Sequence, residues 1–380
     1  MKAYLDNGAT TQVAKEVSQA MQMMLTKKFG NPSSLHNLGV EAKEEMEKAR
    51  AIIAKKINTE SSQIIFTSGG TESNNLAIRG IAYQNKEKNH IITSAIEHSA
   101  VLKTCEALEK EGFKVTYLSV DEEGFISLKK LEEAITPKTM LVTIMHANNE
   151  IGTLQDIRSI GKICREKNVI FHTDAVQSFT KVPIDVEKDN IDLMSLSAHK
   201  IHGPKGIGVL FIRKGVRPKP LLTGGSHESK MRAGTENTPG IVGFGKAVDI
   251  INEKDVDKMR KLRDVLIKGL EKIPDTIING PRGDKRLVSN VNISFKYVEG
   301  ESLLYHLNDK GIAVSTGSAC SSHSLSPSHV LIAIGLKPEI AHGSVRLTLS
   351  KYTSKEEIDY TIKVLKEVVQ DLRKISPLTK

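Results

Sequence analysis

The sequence predicts an α/β protein, with a large domain on a mainly parallel sheet and a smaller α+β domain after it. Three observations predict this. The chain has 380 residues, roughly two domains' worth. Between about residues 60 and 215, short apolar runs alternate with amphipathic stretches, the pattern of strands joined by crossover helices. From about residue 252 onward, a long charged helix leads into strands and helices in a less regular order.

The elements follow in sequence. IIFTS (64–68) reads as a strand running into a helix from about Thr71, and HIITSAIE (90–97) as a strand before a helix that ends near Leu108. MLVTIMHA (140–147), VIFHTD (169–174), DLMSLS (192–197) and GVLFIRK (208–214) continue the sheet, with a helix at Ile157 to Arg165. GVLFIRK follows its predecessor through a short Gly-rich turn, too short for a crossover, so it is expected to run antiparallel. Residues 252–273 carry Val256, Met259, Leu262, Leu266 and Leu270 at helical spacing and read as a bridge to the second domain. There, 290–297, 311–316 and 344–350 read as strands and 355–374 as a closing helix, with the N-terminal segment a candidate to join this domain.

Composition narrows the function classes. Hydrophobic residues at 39% and charged residues at 26% suit a globular chain with a sizeable core. No apolar run approaches the length of a membrane span, and MKAYLDNGATT has no secretory signature; the expected location is the cytoplasm. The net charge of +9 comes without Trp and with only 4% aromatics, which argues against base stacking on single strands. The densest basic cluster (Arg213, Lys214, Arg217 and Lys219) reads as a solvated turn or a dock for an acidic partner; neither nucleic acid nor membrane is expected as a direct partner. Three cysteines without C-x-x-C spacing argue against a disulfide framework or zinc site. The H-x-x-H at His199 and His202 lacks matching ligands, so no metal is expected.

In open α/β sheets ligands sit beyond the carboxyl ends of the strands, and chemistry collects there. After 64–68 come Gly69, Gly70 and Thr71, glycines at a helix start that suit a phosphate. After 90–97 comes His98, either a satisfied core histidine or a flat ring over a cofactor. After 140–147 come Asn148, Asn149 and Glu150. Asp174 ends the next strand, with Gln177 three residues on; a buried carboxylate needs a partner, either a helix cap or salt bridge or a cationic ring nitrogen. After 192–197 come Ala198, His199 and Lys200. Lys200 lies between apolar strands and a Gly/Pro turn, where partial burial favours a reactive amine. Cys105 and Cys164 sit at helix-face spacing and read as core. Cys320, in STGSACSSHSLSPSH (315–329), reads as a thiol presented by a loop. Arg346, on a strand between Val345 and Leu347, reads as a salt-bridge partner or a carboxylate grip.

At these residues the chain resembles the cysteine desulfurases of the NifS/IscS type. The likeness spans nearly the whole length: YLDNGATT near the start, FGNPSSLH (29–36), FTSGGTESNN (66–75), HANNEIGT (146–153), HTDAVQS (172–178), SAHKIHGPKGIG (197–208), MRAGTEN (231–237), YVEGES (297–302), STGSACSS (315–322) and AHGSVRLTLSKYT (341–353). The resemblance implies a fold-type-I PLP-dependent transferase with a mainly parallel seven-stranded sheet. It implies a large PLP-binding domain at 15–258, and a small one from 1–14 and 259–380 that carries the catalytic-cysteine loop.

The resemblance further implies pyridoxal 5'-phosphate (PLP) as cofactor, bound covalently by Lys200. Asp174 would hold the pyridine nitrogen, Gln177 the ring hydroxyl and His98 the stacking position, with His98 counted among the catalytic residues beside Lys200 and Cys320. Gly70, Thr71, Ser197 and His199 would contact the phosphate, and Thr235 would do so from the second subunit of a homodimer. Asn149, also at the cofactor, and Arg346 would hold L-cysteine, and Cys320 would carry sulfur as a persulfide and could transiently ligate an iron–sulfur cluster. An iron–sulfur scaffold protein or another sulfur acceptor, as in tRNA thiolation, would be the partner.

The loop at Cys320 is similar to that of the long-loop group I branch. Gly70, Thr180, Ser226 and Ala233 depart from the usual residues: Ala or Cys, Gly, Gly and Ser in that order. The chain stops at SPLTK without the extension by which some members dock a scaffold. A selenocysteine lyase, a class V aminotransferase and a non-enzymatic assembly scaffold or RNA-binding protein are the alternatives.

Overall fold

A computed structural model describes residues 1–85, 87–316 and 327–377. The chain opens on strand β1 (Ala3–Tyr4) and helices α1 (Lys15–Thr26) and α2 (Asn37–Lys56). Strands and helices then alternate: β2 (Ile64–Thr67), α3 (Gly70–Gln84), β3 (His90–Ser94), α4 (Ser99–Lys110), β4 (Lys114–Leu118), α5 (Leu128–Ala134), β5 (Thr139–Thr143), α6 (Ile157–Glu166), β6 (Ile170–Asp174), β7 (Leu193–Ser197) and β8 (Gly208–Ile212). Helix α7 (Thr238–Asp249) returns to pack on α1 and α2. The rest of the chain is α8 (Glu253–Leu270), β9 (Thr276–Ile278), β10 (Asn290–Phe295), α9 (Gly300–Asp309), β11 (Ile312–Ala313), α10 (His329–Ala333), α11 (Pro338–His342), β12 (Ser344–Thr348) and α12 (Lys355–Ile375).

The large sheet has seven strands in the order β2-β8-β7-β6-β5-β3-β4. Strand β8 pairs antiparallel with both β2 and β7, as the short turn before it requires, and the other neighbours pair in parallel. The carboxyl ends of β2, β3, β5, β6 and β7 therefore lie along one edge. Strands β2, β3, β5, β7 and β8 are buried throughout, which explains their unbroken apolar runs. Each fully buried Ile or Leu contributes roughly 1.5–3 kcal/mol. Gly208 begins β8 where a Cβ would come within 2.6 Å of the Gly69 backbone. Only glycine lets β8 approach the start of α3 so closely.

One strand of the large sheet carried too weak a signal to read. Only Leu118 of β4 is buried, since the strand lies at the sheet edge. Two others end sooner than their apolar runs: β3 at Ser94 and β5 at Thr143. The chain turns there because the carboxylate of Glu97 takes the Ser94 hydroxyl (2.6 Å) and the Met145 N–H (3.0 Å).

A second apolar core is built from Ala3 and Leu5 together with residues between Leu262 and Leu372. Strand β1 pairs in parallel with β11, so the N-terminal segment does join the C-terminal elements, while β9, β10 and β12 form a separate antiparallel sheet. Helix α8 buries Met259, Leu262, Leu266 and Leu270, four of the five positions its spacing marked. A capping box between Asn252 and Asp255 starts it.

Candidate active site

The strand ends meet in a cavity of about 340 Å³. Lys200, Asp174, Gln177, His98, Asn149, Gly70, Thr71, Ser197, His199 and Arg346 all line it. Gly8, Ala9, Asn74, Met145 and Val176 complete the wall; all but Met145 lie within the motifs that carry the family resemblance, though none was assigned a role there.

Lys200 sits in a 3-10 turn directly after β7. Its Nζ donates to the carbonyls of Gly8 and Ala9, each at 2.7 Å. The N-terminal segment thus crosses over the end of the large sheet and anchors the amine. His199 is fixed by a contact from Nδ1 to Thr10 Oγ1 (3.2 Å), and burial with the nearby Lys200 and Lys205 pushes its pKa down to about 4, so it is neutral at physiological pH.

Asp174 closes β6 at 6% exposure. Its carboxylate accepts from Asn74 Nδ2 (2.7 Å) and the Val176 N–H (3.0 Å). Both donors are neutral, which suits a carboxylate reserved for a protonated ring nitrogen. Gln177 donates through Nε2 to Gly8 O (3.0 Å). His98 caps α4, its Nδ1 accepting the Ala100 N–H at 3.1 Å. The cap and the place on the cavity wall are compatible roles for one ring.

Helix α3 begins at Gly70 with no side chain capping it. A Cβ on Gly70 would lie 2.8 Å from Val176 Cγ2. Glycine there leaves room beside a helix N-terminus, whose free N–H groups and dipole favour a phosphate. Arg346 is 3% exposed and reaches Asp6 Oδ1 (3.2 Å) and Asn149 O (3.1 Å). Its Nε is buried and, among the described residues, has no hydrogen-bond partner. Arg346 lines the cavity, and its two-pronged guanidinium fits a substrate carboxylate.

Two predicted site residues stand apart. Thr235 is exposed and does not line the cavity within this one chain. Cys320 lies outside the described residues. Cys105 and Cys164 are fully buried core residues, as their spacing indicated, and burial pushes both thiols up to about 12.

The turn after Gln177 explains one departure from the family pattern. Thr180 has φ +65° and is 7% exposed, with its hydroxyl unpartnered among the described residues. A β-branched residue in that region is strained. Relief of left-handed strain and of an orphan hydroxyl outweighs glycine's chain entropy. Thr180→Gly is therefore expected to raise unfolding stability by about 1 kcal/mol, read as a higher urea midpoint; a lower midpoint would show that the turn carries no such strain.

A lysine-bearing crevice beyond the strand ends, with an anion-ready helix start, fits a class-V aminotransferase, and the sequence profile of the family "Aminotransferase class-V" matches residues 3–361. Relatives narrow this. Cysteine desulfurase IscS of Dictyoglomus turgidum is 53% identical over 381 residues, covering 99% of this chain and 96% of the relative. Cysteine desulfurase IscS of Methanosarcina thermophila is 55% identical, covering 99% and 94%. A solved NifS-like protein superposes with TM-score 0.91 at 41% identity, covering 98% of this chain and all of the other. The structure titled "SspA in complex with cysteine" gives 0.84 at 41% identity, covering 93% and 100%. The chain belongs to the cysteine desulfurase family, IscS/NifS type, and is a PLP-dependent enzyme. The cavity residues fit PLP: an amine for its aldehyde, a carboxylate for its ring nitrogen and a helix start for its phosphate.

Proposed function

We propose that the chain converts L-cysteine to L-alanine and keeps the sulfur as a persulfide on Cys320, for transfer to an acceptor in iron–sulfur cluster assembly or tRNA thiolation. One observation carries this reading. The Lys200 amine, the Asp174 carboxylate and the partly unpartnered Arg346 guanidinium line one cavity.

When bound, PLP supplies an aldehyde that condenses with amines and a ring that accepts electrons from the substrate's Cα. Lys200 would hold the cofactor and, with its amine free, would take the substrate's Cα proton. Asp174 would keep a proton on the pyridine nitrogen, Gln177 would meet the ring hydroxyl and His98 would lie against the ring. Gly70, Thr71, Ser197 and His199 would hold the phosphate. Thr235 of a second copy completes that set, so the working unit is a homodimer. Asn149 and Arg346 orient the substrate.

The Cys320 thiolate attacks the substrate sulfur, an S–S bond forms and the C–S bond breaks. Protonation at the substrate carbon then yields alanine. Cysteine plus thiol gives alanine plus persulfide, and no outside oxidant is needed. The division at 15–258 against 1–14 with 259–380 is our domain assignment, and the cytoplasm our proposed location, since a free nucleophilic thiol needs a reducing compartment.

The test uses purified holoprotein and L-cysteine. Alanine should appear with an equal amount of persulfide, located at Cys320 by peptide mass spectrometry. Amino-group transfer from alanine to an oxo acid, without alanine formation from cysteine, would overturn the reading.

A further inference from the structure

Between Asp6 and Ala9 the N-terminal segment meets three functional groups of the cavity. The Gly8 carbonyl accepts from Lys200 Nζ (2.7 Å) and Gln177 Nε2 (3.0 Å), and the Ala9 carbonyl from Lys200 Nζ (2.7 Å). Asp6 Oδ1 accepts from Arg346 Nη2 at 3.2 Å. A Cβ on Gly8 would lie 3.3 Å from the guanidinium carbon of Arg346, so the segment packs directly against that arginine.

The segment does not need the Asp6 side chain to stay there. It runs beside the end of β12, where the Thr348 N–H donates to Leu5 O (2.6 Å) and the Gly8 N–H to Thr348 Oγ1 (2.6 Å). Asn7 Nδ2 donates to Thr348 O (2.8 Å) and Tyr4 O (3.0 Å). The Ala9 N–H closes a turn on Asp6 O (3.0 Å), and the Tyr4 hydroxyl donates to Thr10 O (2.8 Å). None of these bonds uses the Asp6 carboxylate. The arginine depends on it more. Its side chain is 3% exposed, and Asp6 is its one ion-pair partner among the described residues. The other contact of its guanidinium is with Asn149 O at 3.1 Å. Asp6 itself does not line the cavity.

We propose that Asp6 is a positioning residue for substrate binding: its carboxylate holds the Arg346 guanidinium in the orientation that receives the carboxylate of the amino-acid substrate. This rests on the reading that Arg346 grips that carboxylate. An arginine already fixed at one end loses less freedom when a ligand arrives. The effect therefore falls on affinity, and a ligand without a carboxylate does not feel it. Charge alone would act with the opposite sign, because a guanidinium without Asp6 draws a carboxylate more strongly.

The experiment titrates holoenzymes with L-alanine and with ethylamine, which is alanine without its carboxylate, following the visible absorption of lysine-bound PLP. Asp6→Ala should weaken alanine binding about tenfold and leave ethylamine binding within about twofold. The KM for cysteine should rise by a similar factor, with kcat within about twofold. Asp6→Asn keeps an acceptor oxygen for Nη2 and should restore alanine binding to within about threefold of normal. A merely structural role would weaken both amines together and lower cofactor content. Alanine binding that is unchanged or tighter in Asp6→Ala, equal weakening of ethylamine, or no recovery in Asp6→Asn overturns the proposal. Should Asp6→Ala not fold, Asp6→Ser, whose side chain is too short to reach the guanidinium, decides by the same two titrations. An Arg346→Ala control that binds alanine normally would place the failure in the reading of Arg346 instead.

Discussion

Lys200→Ala should lose the visible absorption of lysine-bound PLP and turn over cysteine at less than about one thousandth of the normal rate. The amine donates to two carbonyls of the N-terminal segment, each at 2.7 Å. Among the described residues, no other lysine lines this cavity. Lys181, on the neighbouring turn, is pushed down to about 7 by burial and by the charge of Lys200, and its Nζ donates to Gln177 O at 3.1 Å. It faces the adjoining cavity behind Gln177, so it does not take over. A small amine such as methylamine, added to Lys200→Ala, should restore part of the rate, because the step lacks a base and not a fold. Full activity in the variant, with the absorption retained, would remove Lys200 from the mechanism.

Most of the site was legible because it lies where strands end. Local apolar periodicity marks β6 and β7, and Asp174 and Lys200 then appear at fixed offsets beyond them. The reversed direction of β8 was legible from turn length alone. What escaped came from distant sequence. Gly8 and Ala9 reach Lys200 across 192 and 191 positions, and Asn74 reaches Asp174 across 100. No local pattern encodes such contacts. Strand β4 escaped because an edge strand needs no apolar face on both sides. Thr180 could be seen to replace a glycine, but the reason, a positive φ, is a backbone fact. Arg346 was legible as a strand arginine with two possible roles; the structure shows the salt bridge, to Asp6, and leaves Nε unpartnered among the described residues.

Cys320→Ala should retain the visible absorption and bind cysteine, yet form alanine at less than about one thousandth of the normal rate, since the nucleophile is gone. The other two thiols offer no substitute. Cys105 and Cys164 are 0% exposed, and desolvation pushes each up to about 12, leaving almost no thiolate at neutral pH. Chain connectivity favours Cys320. Ser315 pairs with Arg346 through N–H to carbonyl bonds of 3.3 and 2.7 Å, and Arg346 lines the cavity. On the far side, Ser328 is bonded to Glu150, next to Asn149 of the cavity wall. Cofactor and substrate binding should survive the loss of a thiol that enters only at sulfur transfer, and that separation distinguishes this variant from Lys200→Ala. Alanine formation at the normal rate by Cys320→Ala would mean that sulfur leaves without a protein nucleophile.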